Sequence, residues 1–292
     1  MTGSISNPEE KLVEALRQRA FYFIRKPFEK TVLETLVDRC LERQRLEREK
    51  REWTQALEHD LEQARRFQSM LLPRSFPRLR GLRGDAVYVP SERLSGDFYD
   101  FFDLGVSRAG ILIADVSGHG VSAALYTGMV KSEMLSVRDE FEHPDALFTD
   151  ISERFGSTAR RRYVTALLLL IDSEARRIRY VNAGHPGFLD ANGVSWESTG
   201  PPLGLLAGAK YEIGELPLRD GERLLLYTDG LSEAMRTDGA EFGVERIRDA
   251  FLAAAGTPPD AAARGVVNAA REFTGGAGFS DDATAILLDF GM

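Results

Sequence analysis

The chain has 292 residues, 43% of them hydrophobic and 9% aromatic, enough for one large packed domain with or without an appendage. A formal net charge of -8 argues against electrostatic capture of nucleic acid or of an anionic membrane. The single cysteine, Cys40, excludes an internal disulfide framework and fits a reducing, cytoplasmic compartment.

The first ten residues carry neither a basic nor an apolar segment, so no secretory leader is expected. No apolar run nears the ~20 residues of a membrane span; the densest, 166–171, is strand-sized. Leu12, Val13 and Leu16 predict a short helix, and the strand-like run 20–24 leads into Lys26, Pro27 and Phe28. Val32, Leu33, Leu36, Val37 and Leu41 then repeat at helical spacing. From residue 43 the chain is highly charged, and Leu46, Trp53, Leu57, Leu61, Ala64, Phe67 and Leu71 form a thin apolar stripe. No proline or glycine interrupts 29–72, so one helix of about 60 Å is predicted. One chain cannot bury such a stripe alone, and a self-paired coiled coil, hence a homodimer, is expected; the alternative is a charged helix lying on its own domain.

Pro73, Pro77 and the Arg- and Gly-rich run to Gly84 break the helix. Beyond it, strand-like runs at 86–89, 98–104, 111–116, 164–171, 177–182, 223–228 and 284–290 alternate with helical patterns at 121–137, 145–155, 244–254 and 260–273. The tight link at 172–175 points to antiparallel pairing. Tyr99, Phe101 and Phe102 read as core, and His59 and His143 as surface residues.

Four aspartates stand where the chain enters or leaves these runs. Asp97 follows Gly96, Asp115 precedes Val116, Ser117 and Gly118, Asp229 precedes Gly230, and Asp281 precedes Asp282. A carboxylate at a strand end is costly to bury without a partner, and four converging would call for cations. Hard divalent ions with oxygen ligands, Mg²⁺ or Mn²⁺, answer that need. Backbone N–H groups around Gly118–Gly120, where a helix is predicted to begin, could meet a phosphate. Cys40 lies in the helical segment and no Gly-x-Ser-x-Gly elbow precedes a helix, so neither a thiol nor a serine hydrolase is expected.

The motifs fall in an ordered set across more than 200 residues. Gln68 with Leu71, Leu72 and Pro73 comes first, followed by Gly96 through Asp100 and Asp115 through Gly120. Tyr163 through Thr165, Asn182 through His185 and Pro202 through Gly204 continue the series. Thr228 through Gly230 and Asp281 through Thr284 close it. This set resembles the PP2C superfamily of metal-dependent serine/threonine phosphatases. It is most similar to the bacterial stress-response and sporulation branch that acts on anti-sigma-factor antagonists. The resemblance implies an α+β fold, an αββα sandwich of two antiparallel sheets flanked by helices and preceded here by the long linker helix. It also implies two ions, Mn²⁺ or Mg²⁺, with Asp97 bridging both. Asp115 and the backbone carbonyl of Val116 would serve one ion, Asp229 and Asp281 the other, with Asp282 behind them. These four aspartates would form the catalytic set, hydrolysing phosphoserine or phosphothreonine by metal-activated water, with a phosphorylated STAS-type antagonist as partner protein.

Two positions depart from the family pattern. Ser95 stands where a glycine is usual, which would weaken the site if that position needs positive φ. Position 119 varies within the branch, so His119 is not assigned as general acid; His185 reads as shaping a turn near the site. Residues 1–42 resemble the end of a response-regulator receiver: last strand, Lys26-Pro27-Phe28, last helix. The phospho-acceptor strand is missing, so this piece cannot take phosphate by the receiver route. The expected organisation is a receiver-like remnant at 1–42, a linker helix at 43–72 and a phosphatase domain at 73–292. The competing expectation is a catalytically weak, phosphatase-like scaffold that captures a partner protein.

Overall fold

The computed structural model describes residues 27–118, 120–136, 141–158, 162–276 and 278–291. The receiver-like run at 20–24, Lys26 and His119 lie outside them. The chain divides into two compact units at 62/63, inside the long helix.

The predicted helix forms as one element, α1 (Lys30–Leu71), and ends where Pro73 disfavours a further helical turn. In the first unit its charges pair along the helix at i,i+4, in Lys30–Glu34, Arg43–Glu47, Arg45–Glu49 and Arg48–Glu52. The apolar stripe stays open: Leu46 is 58% exposed, Trp53 73% and Leu57 47%.

The second unit is built on two antiparallel five-stranded sheets. Its elements are β1 (Leu82–Val89), β2 (Asp97–Asp103), β3 (Arg108–Val116), α2 (Gly120–Ser136), α3 (Pro144–Thr158), β4 (Val164–Asp172), β5 (Arg177–Ala183), β6 (Phe188–Leu189) and β7 (Ser195–Trp196). They continue with β8 (Gly214–Pro217), β9 (Glu222–Tyr227), α4 (Asp229–Ser232), α5 (Gly243–Ala253), α6 (Pro259–Phe273) and β10 (Ala283–Phe290). One sheet runs β2-β3-β4-β5-β8 and the other β1-β10-β9-β6-β7. Helices α2 and α3 pack on the first sheet, and α6 packs on β1 and β10 of the second. This is the expected αββα sandwich.

Strand alternation makes three apolar layers. Between the sheets, Ile111, Ile113, Leu167 and Leu169 of one sheet meet Leu224, Leu226, Ile286 and Leu288 of the other. The opposite parity of the first sheet, with Leu112, Ala114 and Leu168, packs against Met134 and Phe148 of its helices. That of the second, with Leu225 and Leu287, packs against Phe251 and Val266. Phe102 is buried under the helices, while Tyr99 and Phe101 are only partly buried at the rim of the layer between the sheets.

The long elements form at the predicted positions, with ends displaced by a few residues. Strand β1 starts at Leu82 rather than 86, because its whole length pairs with β10 from Leu82↔Phe290 to Val89↔Ala283. Strands β6, β7 and β8 and the single-turn α4 were not foreseen; two to four residues are too few to display a period. His59 and His143 are exposed, as expected.

Candidate functional site

The apolar layer between the sheets changes character at one end. Parity carries the layer from Ile111 and Ile113 to Asp115, and from Tyr99 to Asp97. It carries it likewise from Leu169 and Leu167 to Thr165, from Leu226 to Thr228, and from Ile286 to Thr284 and Asp282. Side chains of one parity share a face, so these polar residues continue the line of the core. Antiparallel register sets Asp97 opposite Asp115 and Asp115 opposite Thr165. Three of the four predicted aspartates thus lie at or beside strand ends of this rim: Asp97 opens β2, Asp115 is next to last in β3, and Asp229 follows β9 as the first residue of α4. Asp281 stands two residues before β10.

Exposure grades across the set. Asp97 is 2% exposed, Asp115 and Asp229 are half-buried, and Asp281 is exposed. Asp97 Oδ2 accepts the hydroxyls of Thr228 at 2.8 Å and Thr284 at 2.5 Å. Burial, and then the charge of Asp115, hold the Asp97 carboxyl well above the ordinary carboxylate range, against the pull of those two hydroxyls. Asp115 is pushed up to about 8, first by burial and then by the charges of Asp229, Asp281 and Asp282. Burial and then Asp281 also raise Asp229. Asp97, Asp115 and Asp229 are thus each raised by burial and by a neighbouring carboxylate, the electrostatic signature of a site that favours positive charge.

The donor set suits a hard divalent cation: four carboxylates and the Val116 carbonyl, all oxygen. Among the described residues, no three Asp, Glu, His or Cys side chains converge tightly enough to hold an ion as placed. The case for cations rests on charge and donor chemistry rather than on a preformed cage.

The backbone around the carboxylates is packed to its limit. A Cβ on Gly96 would come within 2.8 Å of the Val116 carbonyl oxygen and 3.0 Å of Asp115 Oδ1. A Cβ on Gly230 would come within 2.0 Å of the Asp282 carbonyl oxygen. These two glycines let the aspartate-bearing segments touch. Gly118 and Gly120 take φ of 87° and 78°, turning the chain from β3 into α2. The turn is latched by residues 162 and 163: Ser117 N–H donates to Tyr163 O at 3.0 Å, and the Arg162 guanidinium donates to the Ser117 carbonyl.

Ser95 does not need positive φ; Arg176 alone among the described non-glycine residues has it. Ser95 is fully buried, its hydroxyl accepts the Asp97 N–H at 3.1 Å, and its backbone is gripped by Gln68. Gln68 Nε2 donates to Ser95 O at 2.6 Å and Ser95 N–H donates to Gln68 Oε1 at 3.0 Å. Gln68 is the one buried residue of α1. Lys131 of α2 makes a second tie, donating to Leu71 O at 2.7 Å and to Asp100 Oδ2 at 2.8 Å.

Asp282 uses both carboxylate oxygens on the protein: Oδ1 accepts Ser91 N–H and hydroxyl, and Oδ2 accepts Gly96 N–H at 2.7 Å. It thereby organises the loop ahead of Asp97. His185 is buried, with its Nδ1 2.9 Å from Thr165 Oγ1. Burial drops its pKa to about 3, so it stays neutral and serves structure. Sequence reasoning missed the roles of Ser91, Lys131, Thr228 and Thr284. Strand parity, counted from Leu226 and Ile286, would have flagged the two threonines.

Two outcomes follow. Gln68→Ala leaves the buried N–H and C=O of Ser95 without these partners, and should lower unfolding free energy in urea titration by about 1–3 kcal/mol. In chelator, a carboxyl whose folded pKa is raised stabilises the fold at low pH only. The Asp115 contribution should be greatest below about pH 4 and lost as pH rises towards about 8. Thermal melts in EDTA across that range should show the midpoint falling as pH rises.

Comparison with known proteins agrees with this architecture. The sequence profile of stage II sporulation protein E (SpoIIE) matches residues 105–291. Protein IcfG of Synechocystis is 30% identical over 226 residues, which cover 66% of this chain and 36% of that protein. The phosphoserine phosphatase RsbP of Bacillus subtilis is 35% identical over 164 residues, 51% of this chain and 39% of RsbP. The phosphoserine phosphatase RsbU of the same organism is 28% identical over 191 residues, 63% of this chain and 57% of RsbU. The chain thus spans 36 to 57% of the length of these relatives. Among solved structures, the SiaA-PP2C domain of Pseudomonas aeruginosa superposes with a TM-score of 0.71 at 22% identity, covering 81% of this chain and 98% of that domain. With the profile spanning well over half of its residues and the two-sheet core in place, the chain belongs to the SpoIIE family and has the PP2C fold.

Proposed function

We propose that this chain is a metal-dependent protein phosphatase that hydrolyses phosphoserine or phosphothreonine on a partner protein. The observation that carries the reading is that Asp97, Asp115, Asp229 and Asp281, all oxygen donors, stand at one end of the two sheets, where burial and neighbouring carboxylates raise the first three. The fit is to two Mn²⁺ or Mg²⁺ ions. RsbX and PstP, which share the fold, are seen with magnesium and with two manganese ions respectively. Such a pair supplies an activated water and neutralises the phosphoryl group.

The chain's own residues would do the rest. Asp97 would be shared between the ions, Asp115 and the Val116 carbonyl would hold one, and Asp229 and Asp281 the other. The backbone N–H groups of Gly118 and Gly120 lie beside the start of α2, where a phosphate is favoured. Neutral His185 does not protonate the leaving oxygen, since its ring is buried and its Nδ1 engaged by Thr165.

The substrate we infer is a phosphorylated antagonist protein of STAS type, as the resemblance to the stress-response and sporulation branch implies, and the setting is cytoplasmic. No helix among the described residues is long and apolar enough to cross a membrane. The open stripe of Leu46, Trp53 and Leu57 supports pairing of α1 with a second copy, and the Gln68–Ser95 contact gives that helix a grip beside Asp97. The absence of a ready ligand cage among the described residues favours a second reading, a weakly catalytic scaffold that binds its partner without turnover.

Purified protein with Mn²⁺ should hydrolyse p-nitrophenyl phosphate and a phosphorylated STAS protein, and chelator should abolish both activities. Asp97→Ala and Asp229→Ala should each lose more than the ~10–100-fold that removing a supporting partner costs; full activity in both would sink the assignment, and partner binding without turnover would favour the scaffold. Ala56→Pro should cost α1 about 3 kcal/mol and shift sedimentation from dimer towards monomer; unchanged sedimentation would refute pairing through the helix.

A further inference from the structure

We propose that Thr228 and Thr284 form a clamp that orients Asp97 for ion binding; the proposal rests on the metal-site reading above. Asp97 belongs to the sheet β2-β3-β4-β5-β8, whereas Thr228 directly follows β9 and Thr284 lies in β10, both strands of the other sheet. Both hydroxyls reach across to the same oxygen, Oδ2, at 2.8 and 2.5 Å, and both threonines are fully buried.

A hydroxyl has one proton to give. That of Thr228 has Asp97 Oδ2 at 2.8 Å and the Asp282 carbonyl at 3.4 Å, so the carboxylate is the better acceptor. The same oxygen of Thr228 accepts the Thr284 N–H at 2.9 Å, which fixes its direction. Thr228 precedes α4 without a side-chain cap: its hydroxyl oxygen accepts the Thr284 N–H instead of a helix N–H, and its proton goes to Asp97. Two residues inward on the same strands and the same face stand Leu226 and Ile286, so hydroxyls replace methyl groups just where the carboxylate begins. Branching at Cβ restricts each threonine to few rotamers and keeps the donors aimed.

The consequence is positional. Two charge-assisted bonds hold Oδ2, leaving Oδ1 outside the hydroxyl pair. Thr228 adjoins Asp229, and Thr284 follows Asp281 by three residues, so the clamp ties the proposed bridging carboxylate to both segments that bear the other ion's ligands. Thr228 and Thr284 are positioning residues; they act through Asp97.

The test is Mn²⁺ binding by calorimetry on the full chain, without substrate. Thr284→Val removes one donor while keeping shape, and should weaken affinity roughly ten- to hundredfold. Thr284→Ser keeps the hydroxyl and should restore the parental isotherm. Thr284→Ala is measured alongside, since alanine removes the donor without setting a methyl group against the carboxylate. A folded valine or alanine variant with the parental isotherm overturns the clamp, as does a folded serine variant as weak as alanine. A parent chain that takes up no Mn²⁺ overturns the metal-site reading and the proposal with it, whereas a parent that binds while the variants bind equally overturns the clamp alone.

Discussion

The burial of a carboxylate at the end of a hydrophobic layer is the constraint on which the rest of this molecule depends. Asp97 is as buried as the leucines and isoleucines that share its layer, and Asp115 is its cross-strand neighbour. Like charges so placed repel in a medium that screens them poorly. The fold answers with donors: two threonine hydroxyls on Asp97, and two N–H groups and a serine hydroxyl on Asp282. What these donors leave unbalanced is the source of the site's preference for positive charge.

Bringing the segments close enough required removing side chains rather than adding them. Gly96 and Gly230 lie where any Cβ would strike a carbonyl oxygen of a neighbouring aspartate-bearing segment. Ser95, one residue earlier, meets no such limit: its backbone is not left-handed, and its hydroxyl is used to hold the Asp97 N–H. The departure from the family's glycine pair is thus absorbed by a hydrogen bond, and the crowding falls on the second glycine alone.

The helix that precedes the domain meets the site through a polar contact rather than an apolar one. Gln68 offers Ser95 an amide in place of a strand partner, and Lys131 joins the last turn of α1 to Asp100 on β2. Polar contacts of this kind are directional, so a shift of the helix end would be felt two residues away at Asp97. An apolar contact would tolerate sliding. The first unit, by contrast, shows a helix whose ion pairs are local to itself and whose apolar stripe remains exposed.

Much of this was legible in the sequence. Uninterrupted helix formers between Glu29 and Leu72 determined α1, and alternation in runs such as 111–116 and 164–171 determined the strands, because periodicity is a local property of the chain. The four aspartates were legible too, since each stands beside a glycine or a small residue at the edge of an apolar run. The tertiary structure decided what periodicity cannot reach. It set which strand ends meet, so that Asp97 stands opposite Asp115 and takes the hydroxyls of the opposite sheet. It separated Asp281, exposed, from Asp282, whose oxygens are occupied by protein donors. It also showed that Gln68 reaches across 27 residues to Ser95. Pairing across such distances depends on register and on the stacking of two sheets, and neither is written in any single stretch of sequence.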